Sequence, residues 1–148
     1  MDVCCLNRPF DDQTQEKVRL ETEAIVSILK RCSDNEDWTL VGSDIITLEA
    51  LKNNDIVKRQ KVLSMHSGAS EKIKYTDAMK SRAVEFRKSN LKLFDSLHLA
   101  AAENANVDVF LSTDNRLIKA AARTDIRIRV ENPLTYYMEV LTDESSCD

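Results

Sequence analysis

The 148 residues of this sequence suit one domain with its own core, since 43% of them are apolar and 31% are charged. Only two glycines and two prolines occur, which favours helices and argues against an all-β sandwich with many tight turns. The formal net charge of −4 is not typical of a nucleic-acid-binding protein, but residues 71–92 and 116–129 each carry a local net charge of +4. These basic segments are either solvated helix faces or contacts for an anionic partner.

The cysteines and the apolar runs indicate where the protein works. Its four cysteines form no C-x-x-C pair, so we expect neither a structural zinc site nor a disulfide framework. No apolar leader is recognisable, and no stretch approaches the roughly 20 apolar residues that span a membrane. We therefore expect a cytoplasmic protein with reduced thiols and no membrane contact.

The first half of the chain is predicted to alternate strands and helices. In chain order the elements are a strand over 2–5, an amphipathic helix over 14–31, a strand over 38–42 and two helices over 44–53 and 56–66. Ser43 and Asp55 precede the last two helices and are suitable N-caps.

The second half continues this alternation. Its predicted elements are a short edge strand at 73–75, a helix over 77–88, an apolar helix over 95–104, a buried strand over 109–112, a helix over 115–123, a strand over 126–130 and a last short helix that begins at Pro133. Thr76, Asp95 and Asp114 stand where N-caps of three of these helices are expected.

Strands that alternate with helices predict an α/β fold in which crossovers join parallel strands. We expect three α/β/α layers around a central, mostly parallel sheet of four or five strands. The predicted domain covers residues 1–141, and residues 142–148 are expected to form a loose acidic tail.

Four acids stand near predicted strand ends or in the helices that follow. They are Asp2, Glu49, Asp95 and Asp114. Because ligands bind at the carboxyl ends of strands in open parallel sheets, these side chains can converge at one edge. Two of the acids also have a simpler role, since Asp95 and Asp114 can act as helix caps. His98 follows Asp95 by three residues, but a histidine in such a segment is more often a packed core residue.

Several common catalytic motifs are absent. The two glycines, Gly42 and Gly68, cannot form a G-x-G-x-x-G fingerprint or a P-loop, and neither G-x-S-x-G nor H-E-x-x-H occurs. Nucleotide-cofactor enzymes and serine hydrolases are therefore disfavoured.

Four stretches of the sequence resemble PIN-domain proteins, a family of metal-dependent nucleases, and in particular a toxin-like branch. The stretches are "DVCCLNRPFDD" at 2–12, "SDIITLEAL" at 43–51, "FDSLHLAAAENANVDVFLSTDNRLI" at 94–118 and "VENPLTYY" at 130–137. The third is the most specific, since D-x-L-H-L-A followed by L-S-T-D rarely arises by chance. The resemblance implies the same doubly wound parallel sheet.

The resemblance also implies roles for the acids and for three bases. Asp2, Asp95 and Asp114 match metal-binding acids, and Glu49 matches the glutamate that orients the attacking water or holds a second ion. A serine or threonine of the family that lies near the metal matches Ser112 or Thr113. The bases expected to contact the RNA backbone are Arg8, Lys92 and Arg116.

One feature departs from the family pattern. Family members have several apolar residues before the first acid, whereas only Met1 precedes Asp2 here. We therefore expect a shortened first strand, with Asp2 close to the terminus. In a smaller departure, Asn115 stands where this branch often has a second aspartate.

The implied chemistry is hydrolysis of single-stranded RNA with Mg²⁺ or Mn²⁺. Clustered carboxylates raise one another's pKa values, and hard divalent cations that prefer oxygen ligands relieve this repulsion. A bound cation then activates water and neutralises charge on the phosphate. Expected partners are the RNA substrate, an antitoxin protein and a second copy of the chain in a homodimer. The alternatives are a non-catalytic PIN module that binds RNA or protein, and a metal-dependent phosphatase, for which Asp2-Val3-Cys4 is a poor nucleophile motif.

Overall fold

The computed structural model describes residues 1–34 and 37–146. The helices are α1 (Val3–Asn7), α2 (Glu16–Asp34), α3 (Asp44–Leu51), α4 (Ile56–Ser67), α5 (Asp77–Arg87), α6 (Leu93–Asn104), α7 (Asn115–Ala122) and α8 (Pro133–Ser146), with a 3₁₀ turn at Arg8–Phe10 after α1. The strands are β1 (Val41–Ser43), β2 (Glu71–Ile73), β3 (Val109–Leu111) and β4 (Arg129–Glu131).

The predicted central sheet of four or five strands is wrong. In the described residues β1 pairs only with β2, and β3 pairs only with β4. Both pairs are parallel, as expected for strands joined by helical crossovers, but they form two separate sheets of two strands each. The protein is therefore rich in helix, and its sheets are too small to form the middle layer of a three-layer fold.

The N-terminal segment explains much of this difference. Residues 2–5 were expected to form a strand, but the chain turns into α1 directly after Asp2. The Asp2 carboxylate accepts a hydrogen bond from the Cys5 N–H at 3.0 Å, which is the geometry of an N-cap. Only the backbone N–H of Asp2 reaches β3, where it donates to the Leu111 carbonyl at 3.2 Å. No strand in this segment therefore joins the two sheets.

A cleft of about 440 Å³ lies between the two sheets. Its walls include β1 and β3, and Met1, Trp38 and Tyr136 also line it. The facing edges of β1 and β3 have no strand partner among residues 1–34 and 37–146.

Helix starts follow the sequence closely where a capping side chain is present. The side chains of Ser43, Asp55, Thr76 and Asp114 each accept a hydrogen bond from a backbone N–H in the first turn of the next helix, as predicted. Asp95 is not a cap, because α6 begins two residues earlier with Lys92 in the N-cap position. Asp95 lies in the first turn instead, where its carboxylate is free for other contacts.

The largest core cluster explains why α6 is apolar nearly all round. Leu99 and the alanines that follow it in α6 pack against Met79 and Phe86 of α5 and against Phe110 of β3. A separate cluster joins α1 to α3 and α4 through Val3 and Ile46, among others. Packed apolar side chains therefore fix the positions of α3, which contains Glu49, and of α6, which contains Asp95.

The C-terminal segment differs from the expected loose tail. Residues 142–146 continue α8, and Arg31 of α2 forms an ion pair with Glu144 at 2.6 Å. The end of the predicted tail, including Cys147, lies outside the described residues. Within the described part, no helix is both long and apolar enough to cross a membrane.

Candidate functional site

Asp2 is a buried carboxylate with one oxygen in use. Its side chain is 2% exposed, and Oδ1 caps α1. The other oxygen, Oδ2, is buried and has no hydrogen-bond partner among the described residues. Burial raises the pKa of Asp2, while the nearby Ser112 side chain and the Cys5 N–H lower it. Burying an unpaired carboxylate oxygen is costly, so Oδ2 is a candidate ligand atom.

Glu49 and His98 meet across the interface of α3 and α6. The Glu49 Oε2 atom lies 3.5 Å from His98 Nε2, at the outer limit for a hydrogen bond. His98 is 3% exposed, and its Nε2 has no hydrogen-bond partner in the described residues. The ring also lies beside Phe110, with the ring centroids 6.3 Å apart. His98 is therefore a packed core residue, as its sequence context suggested, and its unpaired nitrogen is directed at Glu49.

Asp114 follows β3 and caps α7. Its Oδ1 accepts hydrogen bonds from the N–H groups of Arg116 at 2.9 Å and Leu117 at 3.4 Å. Its own N–H donates to the Ser112 hydroxyl at 3.0 Å. This capping role leaves Oδ2 available, so Asp114 can both cap a helix and contribute one oxygen to a ligand.

The four predicted acids lie close enough to act on one another. The pKa of Asp95 is raised to about 6, first by burial and then by the negative charges of Asp114, Asp2 and Glu49, and His98 partly offsets this. The neighbouring Cys4 thiol senses the same charges. Loss of hydration and then these four carboxylates raise its pKa above the usual range, so Cys4 remains a protonated thiol.

The donor chemistry fits a hard divalent cation. The four acids offer carboxylate oxygens, which Mg²⁺ and Mn²⁺ prefer, and a cation would relieve the repulsion that raises the pKa of Asp95. Asp2 Oδ2 is a buried oxygen without a partner. In residues 1–34 and 37–146 no three His, Cys, Asp or Glu side chains are arranged as a ready metal cage. The candidate ligands are Asp2, Asp95 and Asp114, with Glu49 at the side of the cluster.

The Ser112–Thr113 segment links the acids to the core. Ser112 is fully buried and Thr113 is 4% exposed. The Ser112 hydroxyl accepts a hydrogen bond from the Asp114 N–H, and the Ser112 N–H donates to the carbonyl of Glu131, the last residue of β4. Ser112 therefore fixes the turn between β3 and α7 that places Asp114.

A groove of about 530 Å³ runs beside Asp114 and contains two of the three predicted RNA-binding bases. Arg8 and Arg116 both line it, and Cys4 and Thr113 are also in its wall. Lys92 is exposed at the start of α6 but is not part of this groove. The prediction that these three bases bind RNA is not tested by their positions.

The sequence analysis missed two side chains that contact Arg8 or support it. Glu21 of α2 is fully buried, and its Oε1 lies 3.3 Å from Arg8 Nε. Asn132 donates from Nδ2 to Glu21 Oε2 at 2.5 Å. One signal was available, because Glu21 occupies the apolar face of α2 between Val18 and Ala24, where a charged residue needs a partner.

Comparison with known proteins adds no relative. No protein-family model matches this chain, and no curated protein matches it.

Proposed function

We propose that this protein is a metal-dependent endoribonuclease that hydrolyses single-stranded RNA at the cluster of Asp2, Glu49, Asp95 and Asp114. The observation that supports the proposal is that the charges of Asp2, Glu49 and Asp114, from three other segments, add to burial in raising the pKa of Asp95. Clustered carboxylates repel one another and destabilise the folded protein when no cation is bound, so their presence favours a role in cation binding.

The resemblance of the sequence to PIN-domain proteins supports the choice of reaction. It supplies the nuclease chemistry, the Mg²⁺ or Mn²⁺ cofactor and the match of each acid to a role. The described residues do not form the central sheet that the resemblance implied. This difference affects the fold around the four acids and not the identity of the acids themselves. The charges of these same four acids influence the pKa of Cys4, and those of Asp2, Glu49 and Asp114 influence the pKa of Asp95, which supports the assignment of all four to one site.

Each site residue has a distinct task in the proposed reaction. Asp2, Asp95 and Asp114 would hold the cation, which when bound supplies a Lewis acid and lowers the pKa of water. Glu49 is the candidate for orienting the attacking water, since it is partly exposed and its carboxylate lies near His98 Nε2. Arg116 stands at the groove next to Asp114, where it can contact the phosphate backbone.

The proposed setting follows the same reading. The protein acts in the cytoplasm on RNA, as the toxin of a toxin–antitoxin pair and as a homodimer. An apolar surface for a protein partner is available near the site, since Leu48 and Leu51 of α3 and Ile56 of α4 are each at least half exposed.

The test is cleavage of labelled single-stranded RNA with Mn²⁺ or Mg²⁺. The wild type should cut, EDTA should stop the reaction, and Asp114→Asn should lower the rate by at least a hundredfold. Asparagine still caps a helix, so this substitution removes the charge while it preserves the start of α7. Asp108→Asn is the matched control, because Asp108 is exposed and precedes β3 outside the cluster. A wild type that binds RNA but cuts none with either metal would favour a non-catalytic binding module.

A further inference from the structure

The "NRPF" stretch contains Arg8, for which the sequence predicts only a contact with the RNA backbone, and the structure surrounds this arginine with an unusual set of contacts. Arg8 belongs to the 3₁₀ turn after α1, and its side chain is 20% exposed. Its backbone carbonyl accepts hydrogen bonds from Gln13 Nε2 at 3.0 Å and from the Thr22 hydroxyl at 3.2 Å. These two hydrogen bonds fix the backbone of Arg8 independently of the contacts that its guanidinium makes.

The guanidinium itself has one hydrogen bond and one ion pair to carboxylates. Nη1 donates to Asp11 Oδ2 at 3.1 Å, and Nε lies 3.3 Å from Glu21 Oε1 in an ion pair that lacks hydrogen-bond geometry. Nη2 has no hydrogen-bond partner among the described residues and is not one of the buried unpaired atoms. Because a guanidinium is planar and rigid, the two contacts together restrict the direction of Nη2.

Glu21 in turn contacts a residue that is distant in the sequence. Asn132 Nδ2 donates to its Oε2, while Asn132 Oδ1 accepts the Leu134 N–H at 2.8 Å at the start of α8. A fully buried carboxylate on an otherwise apolar helix face is costly unless it is paired. The effect of the buried Glu21 carboxylate in this structure is therefore to orient Arg8.

That arginine lies in the groove that contains Asp114. Arg8, Arg116 and Asp114 all line this groove. Two cationic side chains beside a candidate metal ligand suit a chain of phosphates that passes the reaction centre. Asp11 and Glu21 orient Arg8, so its cationic guanidinium offers a phosphate a directed, charge-assisted hydrogen bond.

We propose that Arg8 Nη2 binds an RNA phosphate next to the scissile one, and that Glu21 is the positioning residue that aims it. This inference rests on the proposed function, because it takes RNA as the ligand of the groove. It assigns Glu21 and Asn132 to substrate binding, although neither touches RNA.

The experiment measures affinity for a labelled single-stranded RNA in Ca²⁺, with electrophoresis to show that the RNA stays intact. Arg8→Ala should weaken binding about tenfold and reduce the slope of log affinity against log salt by about 0.7, the value for one phosphate contact on a single strand. Arg8→Lys should lose nearly as much, since an ammonium cannot contact Glu21 and a phosphate at once. Arg19→Ala, which removes an exposed arginine of α2, is the matched control and should bind like the wild type.

Glu21→Gln separates positioning from simple structural support. It should weaken binding about fivefold in the wild-type background and have no further effect in the Arg8→Ala background, since it acts through Arg8. In steady-state cleavage Glu21→Gln should raise KM more than it lowers kcat, as expected for a contact away from the reacting bond.

Three results would overturn the inference. The first is wild-type affinity in both Arg8→Ala and Arg8→Lys, and the second is a loss in Glu21→Gln that persists in the Arg8→Ala background. If Glu21→Gln does not fold, the Arg8→Lys result decides alone, and full affinity there refutes the need for aiming. The third is a wild type that binds no RNA. Failure of the proposed function is distinguishable, because it shows as intact binding with the expected Arg8 dependence but no cleavage in Mn²⁺.

Discussion

Replacing Asp95 by asparagine should stabilise the protein at neutral pH when no divalent cation is present. The folded state raises the pKa of Asp95 from its ordinary value of 3.8 to about 6, through burial and three nearby carboxylates. A shift of about two units corresponds to roughly 3 kcal/mol at about 1.4 kcal/mol per unit. Because Asp95 is partly exposed, solvent screening reduces this, and we expect a gain of about 1–2 kcal/mol for Asp95→Asn.

The sign of the pH dependence follows from proton binding. Between about pH 4 and pH 6 the unfolded chain has lost the Asp95 proton while the folded protein keeps it, so wild-type stability falls as the pH rises through this window. Asparagine does not titrate. The stability difference between Asp95→Asn and the wild type should therefore be near zero at pH 4 and reach its full size above about pH 6.5.

Urea unfolding in EDTA at pH 4, 5, 6, 7 and 8 measures this difference. Asp108→Asn, at an exposed acid outside the cluster, is the control and should show no such pH-dependent gain. An Asp95→Asn variant that is less stable than the wild type at every pH would refute the reasoning, because it would mean that the carboxylate is favourably solvated or paired.

Further predictions concern the edges of the two sheets. His66 Nε2 accepts a hydrogen bond from the Ser43 N–H at 3.0 Å, and burial and the nearby Lys72 lower the pKa of His66. The wild type should therefore lose stability relative to His66→Gln as the pH falls below about 6.5. Urea midpoints of the two proteins that move together at all pH values would contradict this. Gly42→Ala would place a methyl group 2.8 Å from His66 Cδ2 and should cost about 1–3 kcal/mol, whereas Gly68→Ala, which meets only Met65 O at 3.4 Å, should have little effect in the same melts. Four or five apolar residues added ahead of Met1 should pack into the cleft between β1 and β3 and raise the melting temperature, since burying two or three such side chains contributes roughly 3–6 kcal/mol before entropy is counted; an unchanged melting temperature would show that the cleft cannot take them.

Local signals in the sequence predicted most helices because the interactions that start a helix join residues close together in the sequence. Ser43, Asp55, Thr76 and Asp114 cap helices through bonds to N–H groups two or three residues away, so the sequence alone contains the whole interaction. The same reasoning failed at Asp95, because the apolar residues Leu93 and Phe94 extend α6 by two residues toward its start.

The sheet could not be predicted in this way, because strand pairing depends on distant segments. Val3, Cys4 and Cys5 have the composition of a short buried strand, yet α1 forms there once Asp2 caps it and Val3 packs in the cluster with Ile46 of α3. Pairing of β1 with β2, and of β3 with β4, then leaves two small sheets.

The candidate site stays a prediction, although its residues were chosen on clear signals. Glu49, Asp95 and Asp114 stand out as acids in or beside apolar segments, and Asp2 was assigned its role by the resemblance to PIN-domain proteins. In the structure the charges of the other three acids act on Asp95. Glu21 was missed although it is more buried than any of them. The apolar residues of α2 were enough to predict an amphipathic helix, so the charged residue on its apolar face was not considered. Its partners, Arg8 and Asn132, are 13 and 111 residues away and no local pattern joins them.

The central claim is that the acid cluster binds a divalent cation, and calorimetric titration with Mn²⁺ at pH 7.5 tests it most directly. The account predicts saturable binding to the wild type, at least tenfold weaker binding to Asp95→Asn, and unchanged binding to Asp108→Asn. Equal Mn²⁺ affinity in the wild type and Asp95→Asn, or no binding to the wild type, would contradict it.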